Sequence, residues 1–190
     1  MNDSVMLSLE DRFSGIKRWK SGKKVALHKP LLILYVLNQY KYNHRRLFNF
    51  EYDICEQLGS LLQLFGSGNK IQNPHYPFWR LKNDSLWEVK LQGSIKLTSS
   101  GDASKKQLCE TKAEGGFIEP IYNKLINNKS AIDILSQLIV KVYFPKALQP
   151  ALTEFFEIKV ISVAKGLHEE TTITQYDCNL IDELISEFEF

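Results

Sequence analysis

The sequence predicts an α+β fold: a predominantly helical domain with a small antiparallel β-hairpin or sheet. Three observations carry that prediction. The run from Leu31 to Tyr40 is apolar on nearly all sides and follows Pro30, a residue suited to a helix's first turn because its missing N–H has no partner there. Phe50 to Phe65 is amphipathic with helical period and stops at Gly66-Ser67-Gly68. Between residues 73 and 98 the pattern changes. Two short apolar runs, Phe78-Trp79-Arg80-Leu81 and Leu86-Trp87-Glu88-Val89, flank an Asn83-Asp84 turn and read as paired strands.

The remaining elements follow in chain order. Met1 to Lys20 reads as a helix through the stripe Leu7, Leu9, Phe13, Ile16 and Trp19, and Ser21-Gly22-Lys23-Lys24 reads as a turn. Asn73-Pro74-His75-Tyr76-Pro77 is a stiff, turn-rich stretch, and Ser99 to Lys106 is a polar loop. Gly115-Gly116-Phe117 opens a helix near Glu119 to Ile126, and Ser130 N-caps another that runs to Val142. Phe144-Pro145 ends that helix, and Pro150 marks a boundary. The expected organisation is one domain over residues 1–150 and an acidic extension over 151–190. In the extension, Phe155 to Val163 reads as a strand and Leu180 to Phe190 as a short helix.

Composition narrows the function. The net charge of +2 conceals a division: residues 1–106 carry 17 Lys+Arg against 9 Asp+Glu, and residues 107–190 carry 7 against 13. Seven cations and no acid lie between Arg12 and Lys29, whereas residues 151–190 hold nine acids and two lysines. A basic half points to a polyanion, from which an acidic half stays away. No apolar stretch reaches the roughly 18 residues of a membrane span, and Met1 to Glu10 has no signal-peptide pattern. Cys55, Cys109 and Cys178 give neither an even disulfide framework nor a CxxC pair, so a reducing cytoplasm is the expected setting.

Catalytic chemistry finds little to stand on. His28, His44, His75 and His168 form no HxxxH or HExxH spacing, and no Cys/His cluster supports zinc. An HNH nuclease needs histidines and an asparagine around a compact metal turn, which the C-terminal region does not offer. A PD-(D/E)xK nuclease is matched weakly by Glu157-Ile158-Lys159, with Asp133 upstream. Gly66-Ser67-Gly68-Asn69-Lys70 lacks the length and the K[ST] of a phosphate loop. The expectation is therefore no catalytic residue, no metal and no cofactor. Two rivals remain: a metal-dependent nuclease using Glu157 and Lys159, and a protein-interaction module acting through the acidic tail.

A polyanion-binding module fits better. The cations of residues 17–29 surround a turn that leads to a helix N-terminus, where backbone N–H groups and the helix dipole favour phosphate. His28 and Lys29 flank that helix start. Gly66 to Gln72 is a polar loop whose Asn69, Lys70 and Gln72 suit base edges. Tyr76-Pro77 offers a stiff apolar surface among polar neighbours. Each has an ordinary reading too: lysines on a solvated face, a backbone-satisfied His28, and Phe78 and Trp79 in the core.

At these residues the chain resembles the sulfur-binding domain of bacterial type IV restriction endonucleases that recognise phosphorothioate-modified DNA. The resemblance runs over about residues 10–150. It rests on His28-Lys29-Pro30-Leu31-Leu32-Ile33-Leu34, Phe65-Gly66, Tyr76-Pro77-Phe78-Trp79-Arg80-Leu81, Leu86-Trp87-Glu88-Val89, Gly115-Gly116-Phe117 and Tyr143-Phe144-Pro145. It implies a DNA-binding module of restriction or defence, with phosphorothioate-bearing double-stranded DNA as partner. The sulfur pocket would be Tyr76 and Pro77, with Lys29 and Arg80 beside them. Phosphate would be held by His28, Ser21, Lys23, Lys24 and His75, and the groove approached by Asn69, Lys70, Gln72, Lys105 and Lys106. Many members have a small residue or an arginine at the flanking positions, so Lys29 and Arg80 are departures. Members often continue into an HNH nuclease and this sequence does not, so the expectation is either a separate nuclease or effector as a further partner or a protein that only senses the modification. Charge reversal at Lys23 or Lys24 is expected to weaken binding to modified and plain duplexes alike and to flatten the salt dependence, read by titration at several salt concentrations.

Overall fold

A hydrophobic segment flanked by cationic turns has to be covered from every side, and the fold is organised around that need. The structure, a computed structural model, describes residues 9–18, 20–21, 24–66 and 72–159. The element order is α1 (Leu9–Ser14), β1 (Lys20–Ser21), β2 (Lys24–Val25), α2 (His28–Lys41) and β3 (Phe48–Asn49). A π-helical turn (Phe50–Ile54) then runs into α3 (Cys55–Phe65). After α4 (His75–Arg80) and a 3-10 turn (Leu81–Asp84) come β4 (Trp87–Lys90), α5 (Lys105–Glu110), β5 (Glu114–Phe117), α6 (Glu119–Asn127), α7 (Lys129–Tyr143) and α8 (Gln149–Phe155). This is the expected helix-dominated α+β architecture.

The core sits around α2. Leu31, Leu32, Ile33, Leu34, Val36, Leu37 and Tyr40 are all buried, and α3, α4, α6 and α7 pack against the helix. Two buried tyrosine hydroxyls tie distant segments to this core. Tyr40 donates to the Arg46 carbonyl at 2.6 Å and accepts the Phe117 N–H at 3.3 Å, joining α2 to β5. Tyr143 donates to the Phe13 carbonyl at 2.8 Å and accepts the Ile16 N–H at 3.0 Å, holding α1 on α7.

The sheet differs from the expected local hairpin. Its order is β3-β5-β4, antiparallel throughout, with Phe48 opposite Gly115 and Trp87 opposite Phe117. Leu86 to Val89 supplies its strand, but Phe78 to Leu81 does not pair with it. Phe78, Trp79 and Arg80 lie in α4, and Leu81 begins the 3-10 turn. The run is short enough for either period, and Pro74 and Pro77, whose fixed φ suits a helix's first turns, decide for the helix. Gly115 and Gly116 occupy the central strand instead of opening α6. A Cβ on Gly116 would stand 2.1 Å from the Arg46 carbonyl oxygen, and one on Gly115 would meet Phe78 and Trp87 at 2.8 Å. These glycines mark a close backbone approach.

Other boundaries move as well. The first described helix is α1 alone, and Lys20–Ser21 pairs with Lys24–Val25 as a small ribbon. Asn128, not Ser130, caps α7, its side chain accepting the Ala131 N–H at 3.3 Å. The polar stretch 99–106 ends in α5, whose start is a capping box between Ser104 and Gln107. Nor does packing stop at Pro150. That residue sits in the first turn of α8, and Leu152, Phe156 and Ile158 are buried. Phe155 closes α8 rather than opening a strand, and residues 156–159 form a turn and irregular chain; residues 160–163 of that predicted strand, and the helix at 180–190, lie outside the described residues.

Replacing Tyr40 with Phe strands the Arg46 carbonyl and the Phe117 N–H together. It is expected to lower the unfolding free energy by about 1–3 kcal/mol. Gly116→Ala is expected to cost at least as much, because its obstacle is backbone. Urea denaturation of the two variants checks both.

Candidate nucleic-acid interface

Three consecutive features of α4 build the site. Pro74 precedes the helix, and the Tyr76 N–H reaches back to the Asn73 carbonyl at 3.2 Å. Phe78 and Trp79 point into the core, Phe78 against Phe50 and Trp87, and Trp79 with its Nε1–H on the Gly101 carbonyl at 2.9 Å. With those two side chains anchored, the helix turns Tyr76 outward, 39% exposed, while the neighbouring Pro77 is buried. The two rings predicted to be core are core and Tyr76 is surface as predicted, whereas Pro77, expected to share that surface, is buried because it lies on the inward side of α4 with Phe78.

Arg80 stands one turn along the same face. Its guanidinium carbon lies 4.7 Å from the centre of the Tyr76 ring, a cation–π contact. The guanidinium also forks onto Asp102, Nε to Oδ1 at 2.7 Å and Nη2 to Oδ2. Asp102 is buried, and its Oδ2 also accepts the Ser100 hydroxyl at 3.0 Å. Arg80 holds the Asp102 carboxyl below the usual carboxylate range despite burial, and Asp102 in turn raises Arg80. The loop presenting Asp102 is fixed by its own bonds, the Asp102 N–H to Thr98 Oγ1 at 3.1 Å and the Thr98 N–H to the Asp102 carbonyl at 2.9 Å.

His75 lies on the other side of Tyr76, ring centroids 4.1 Å apart. Its Nδ1 is buried and, among the described residues, has no hydrogen-bond partner. Burial lowers its pKa, opposed by Asp102 and assisted by Lys105 and Arg80. His28, the first residue of α2, is likewise lowered by burial. The adjacent Lys29 ammonium pairs with Asp84, whose other oxygen accepts the Lys17 N–H at 3.0 Å. That pair ties the start of α2 to the turn that continues α4. The charge of Lys29 is thus already matched within the protein.

The arrangement is an exposed aromatic ring bracketed by a guanidinium and an imidazole, with two cations neutralised from behind by buried carboxylates. A profile of the ScoMcrA-like DNA sulfur-binding domain matches residues 7–159. The chain belongs to that family. The sulfur-binding domain of ScoMcrA, solved with phosphorothioated DNA, is similar at a TM-score of 0.66 and 22% identity, over 80% of this chain and 96% of that one. The sulfur-binding domain of SprMcrA, also solved with phosphorothioated DNA, is similar at 0.64 and 21%, over 77% and 90%. The type IV phosphorothioation-dependent restriction endonuclease ScoMcrA is similar at 0.61 and 24%, this chain spanning 28% of its length. These likenesses establish a shared fold. Among curated proteins no relative matches.

The other predicted contacts of this sulfur-binding domain are distributed unevenly. Lys105 and Lys106 are exposed at the start of α5. Lys105 lies beside the Cys55 thiol, which raises its pKa. Lys106 reaches Glu110 at 3.7 Å across one turn. Gln72 is half-buried just before Pro74. Of Ser21 and Lys24 only the backbone pairing is described, and Lys23, Asn69 and Lys70 lie outside the described residues. Asp84 and Asp102 were not anticipated. The one sign of Asp102 in the sequence is that it is the sole acid in the polar run Thr98 to Lys106.

The rival nuclease residues do meet at one corner. Asp133 Oδ1 accepts the Lys41 ammonium at 2.9 Å and the Lys159 backbone N–H at 3.2 Å, while the Glu157 carboxylate accepts the Tyr42 hydroxyl. Among the described residues no group of three or more His, Cys, Asp or Glu converges as metal ligands, and no helix is long and apolar enough to cross a membrane.

The histidines give a pH test. Both have folded pKa values below the unfolded one, so under mild acid the unfolded chain binds more protons than the folded chain. Their contribution to stability is complete above the ordinary histidine pKa of about 6.5 and declines as pH falls below it. Stability measured from pH 7 to pH 5 is expected to fall, and less steeply in His75→Gln than in the wild type.

Proposed function

We propose that this chain is a DNA-reading module that binds double-stranded DNA carrying a phosphorothioate, placing the sulfur against Tyr76 and Pro77. The observation that carries the reading is the outward Tyr76 ring beside Pro77 on a helix fixed from below by Phe78 and Trp79. Family membership supports it, as does the solution of two structurally similar domains with phosphorothioated DNA.

The chemistry follows from the difference between sulfur and oxygen. Replacing a non-bridging phosphate oxygen with sulfur keeps the charge but gives a larger, softer and more weakly hydrated atom. A tyrosine face and proline methylenes accept it with little loss of hydration, while an oxygen anion there gives up water hydrogen bonds without replacement. A difference of about 3 kcal/mol corresponds to roughly a hundredfold preference. General affinity comes from the surrounding cations and is blind to the modification. His28 at the start of α2 and His75 beside Tyr76 are placed as donors to the modified phosphate or its neighbours. Lys105 and Lys106 flank the groove, together with the loop that leads to Gln72.

In this reading the chain does no chemistry itself, and cleavage belongs to a nuclease domain or a separate effector. The acids at the C-terminal corner are engaged by Lys41 and Tyr42, which fits a structural role for them. The acidic tail beyond residue 159 would serve an interaction away from DNA.

The deciding experiment is a titration of one short duplex with and without a single stereodefined phosphorothioate, at near-physiological salt, over several core sequences. The wild type is expected to prefer the sulfur duplex by roughly a hundredfold. Tyr76→Ala is expected to abolish the preference while leaving weak general binding. Equal loss on both duplexes would reject the pocket, and absence of binding to every duplex would reject DNA reading.

A further inference from the structure

The Arg80 guanidinium is held in a way that decides what it offers to DNA. Two of its N–H donors are committed to Asp102, and its central carbon lies over the Tyr76 ring. Asp102 is buried, and it is fixed by the Ser100 hydroxyl and by Thr98. Arg80, by contrast, is 43% exposed on its side chain. The carboxylate is therefore the buried anchor of the pair and the arginine its solvent-facing member. A free arginine beside the Tyr76-Pro77 surface would fork its donors onto phosphate oxygens, the geometry guanidinium matches best. That contact rewards an ordinary phosphate, because oxygen accepts hydrogen bonds better than sulfur does.

We propose that Asp102 is a positioning residue for sulfur specificity: by clamping Arg80 over Tyr76 it withholds the guanidinium fork from ordinary phosphate. Arg80 then contributes its weakly hydrated face to the wall of the pocket. The inference rests on the reading that Tyr76 and Pro77 receive the sulfur. It goes beyond that reading by assigning discrimination to a residue that touches no DNA. The same logic applies at Lys29, whose ammonium is drawn off by the buried Asp84.

The test uses the full chain, with plain and singly phosphorothioated duplexes of one sequence titrated over a range of salt. Asp102→Asn keeps the shape and leaves Arg80 in contact with water, so no buried charge is stranded. It is expected to tighten binding to the plain duplex by about tenfold, the worth of one hydrogen bond to a charged group. Binding to the sulfur duplex should change little, so the preference falls by the same factor. The salt slope on plain DNA is expected to steepen by about one counterion. Adding Arg80→Met to Asp102→Asn should reverse both changes, and thermal melting reports whether each variant is folded. An unchanged preference in Asp102→Asn, or equal weakening on both duplexes, would overturn the proposal. The double variant carries no buried charge and tests the idea even where Asp102→Asn is unstable, because its loss of the sulfur preference would also overturn it. If the wild type itself shows no preference, the pocket reading fails first, and that outcome is separate from a wild type that discriminates and an Asp102→Asn variant that discriminates equally well.

Discussion

Burial of α2 on nearly every side is the constraint on which the rest depends. A helix with an apolar surface all round has no solvent face of its own, so its neighbours exist to cover it. The coverings come from far along the chain: α3 next, then α4, then α6 and α7. The sheet is attached through Tyr40, whose hydroxyl is satisfied only if Arg46 and Phe117 stand where they do. Once α2 is fixed, so is its first residue, His28, and the Lys29–Asp84 pair then fixes the turn that follows α4. The site residues thus inherit their positions from the core rather than from a flexible loop.

This explains which parts were legible in the sequence. The central helix was readable because Pro30 and a long apolar run agree with each other, and its period is insensitive to what packs on it. The outward turn of Tyr76 was readable because its neighbours Asn73, His75 and Arg80 are polar while Phe78 and Trp79 are not. The Phe78 to Leu81 hairpin was misread because four apolar-rich residues fit a helix or a strand equally, and the true partner of Trp87 is Phe117, thirty residues away. No local pattern encodes that pairing. Gly115-Gly116 held the missing clue, since adjacent glycines before an aromatic residue are poor helix openers and good markers of close backbone approach.

The acids were harder to see than the cations. Basic residues announce a polyanion partner by their number, whereas a single buried carboxylate is silent until its neighbours are placed. Asp84 and Asp102 each lie in a short turn, and each would ordinarily be read as turn chemistry. Their burial changes the reading, because a buried carboxylate must be paired. Arg80 and Lys29 supply the pairing, and the count of cations free to face DNA is smaller than the seventeen in residues 1–106 suggests.

A surface that must distinguish sulfur from oxygen faces a conflict between affinity and selectivity. Every cation added near the modified phosphate raises binding to all DNA, and a guanidinium raises it most for oxygen. Selectivity requires an apolar surface close to the distinguishing atom and charge set back from it. On the proposed reading, the surface meets both needs by using the Arg80 guanidinium for its contact with the Tyr76 ring, with its charge drawn off by Asp102. On the same reading, long-range attraction would fall to exposed lysines such as Lys105 and Lys106, which would act on phosphates whether or not they carry sulfur. On the proposed reading, discrimination in such a site is set as much by what the buried Asp102 withholds as by what the aromatic ring offers.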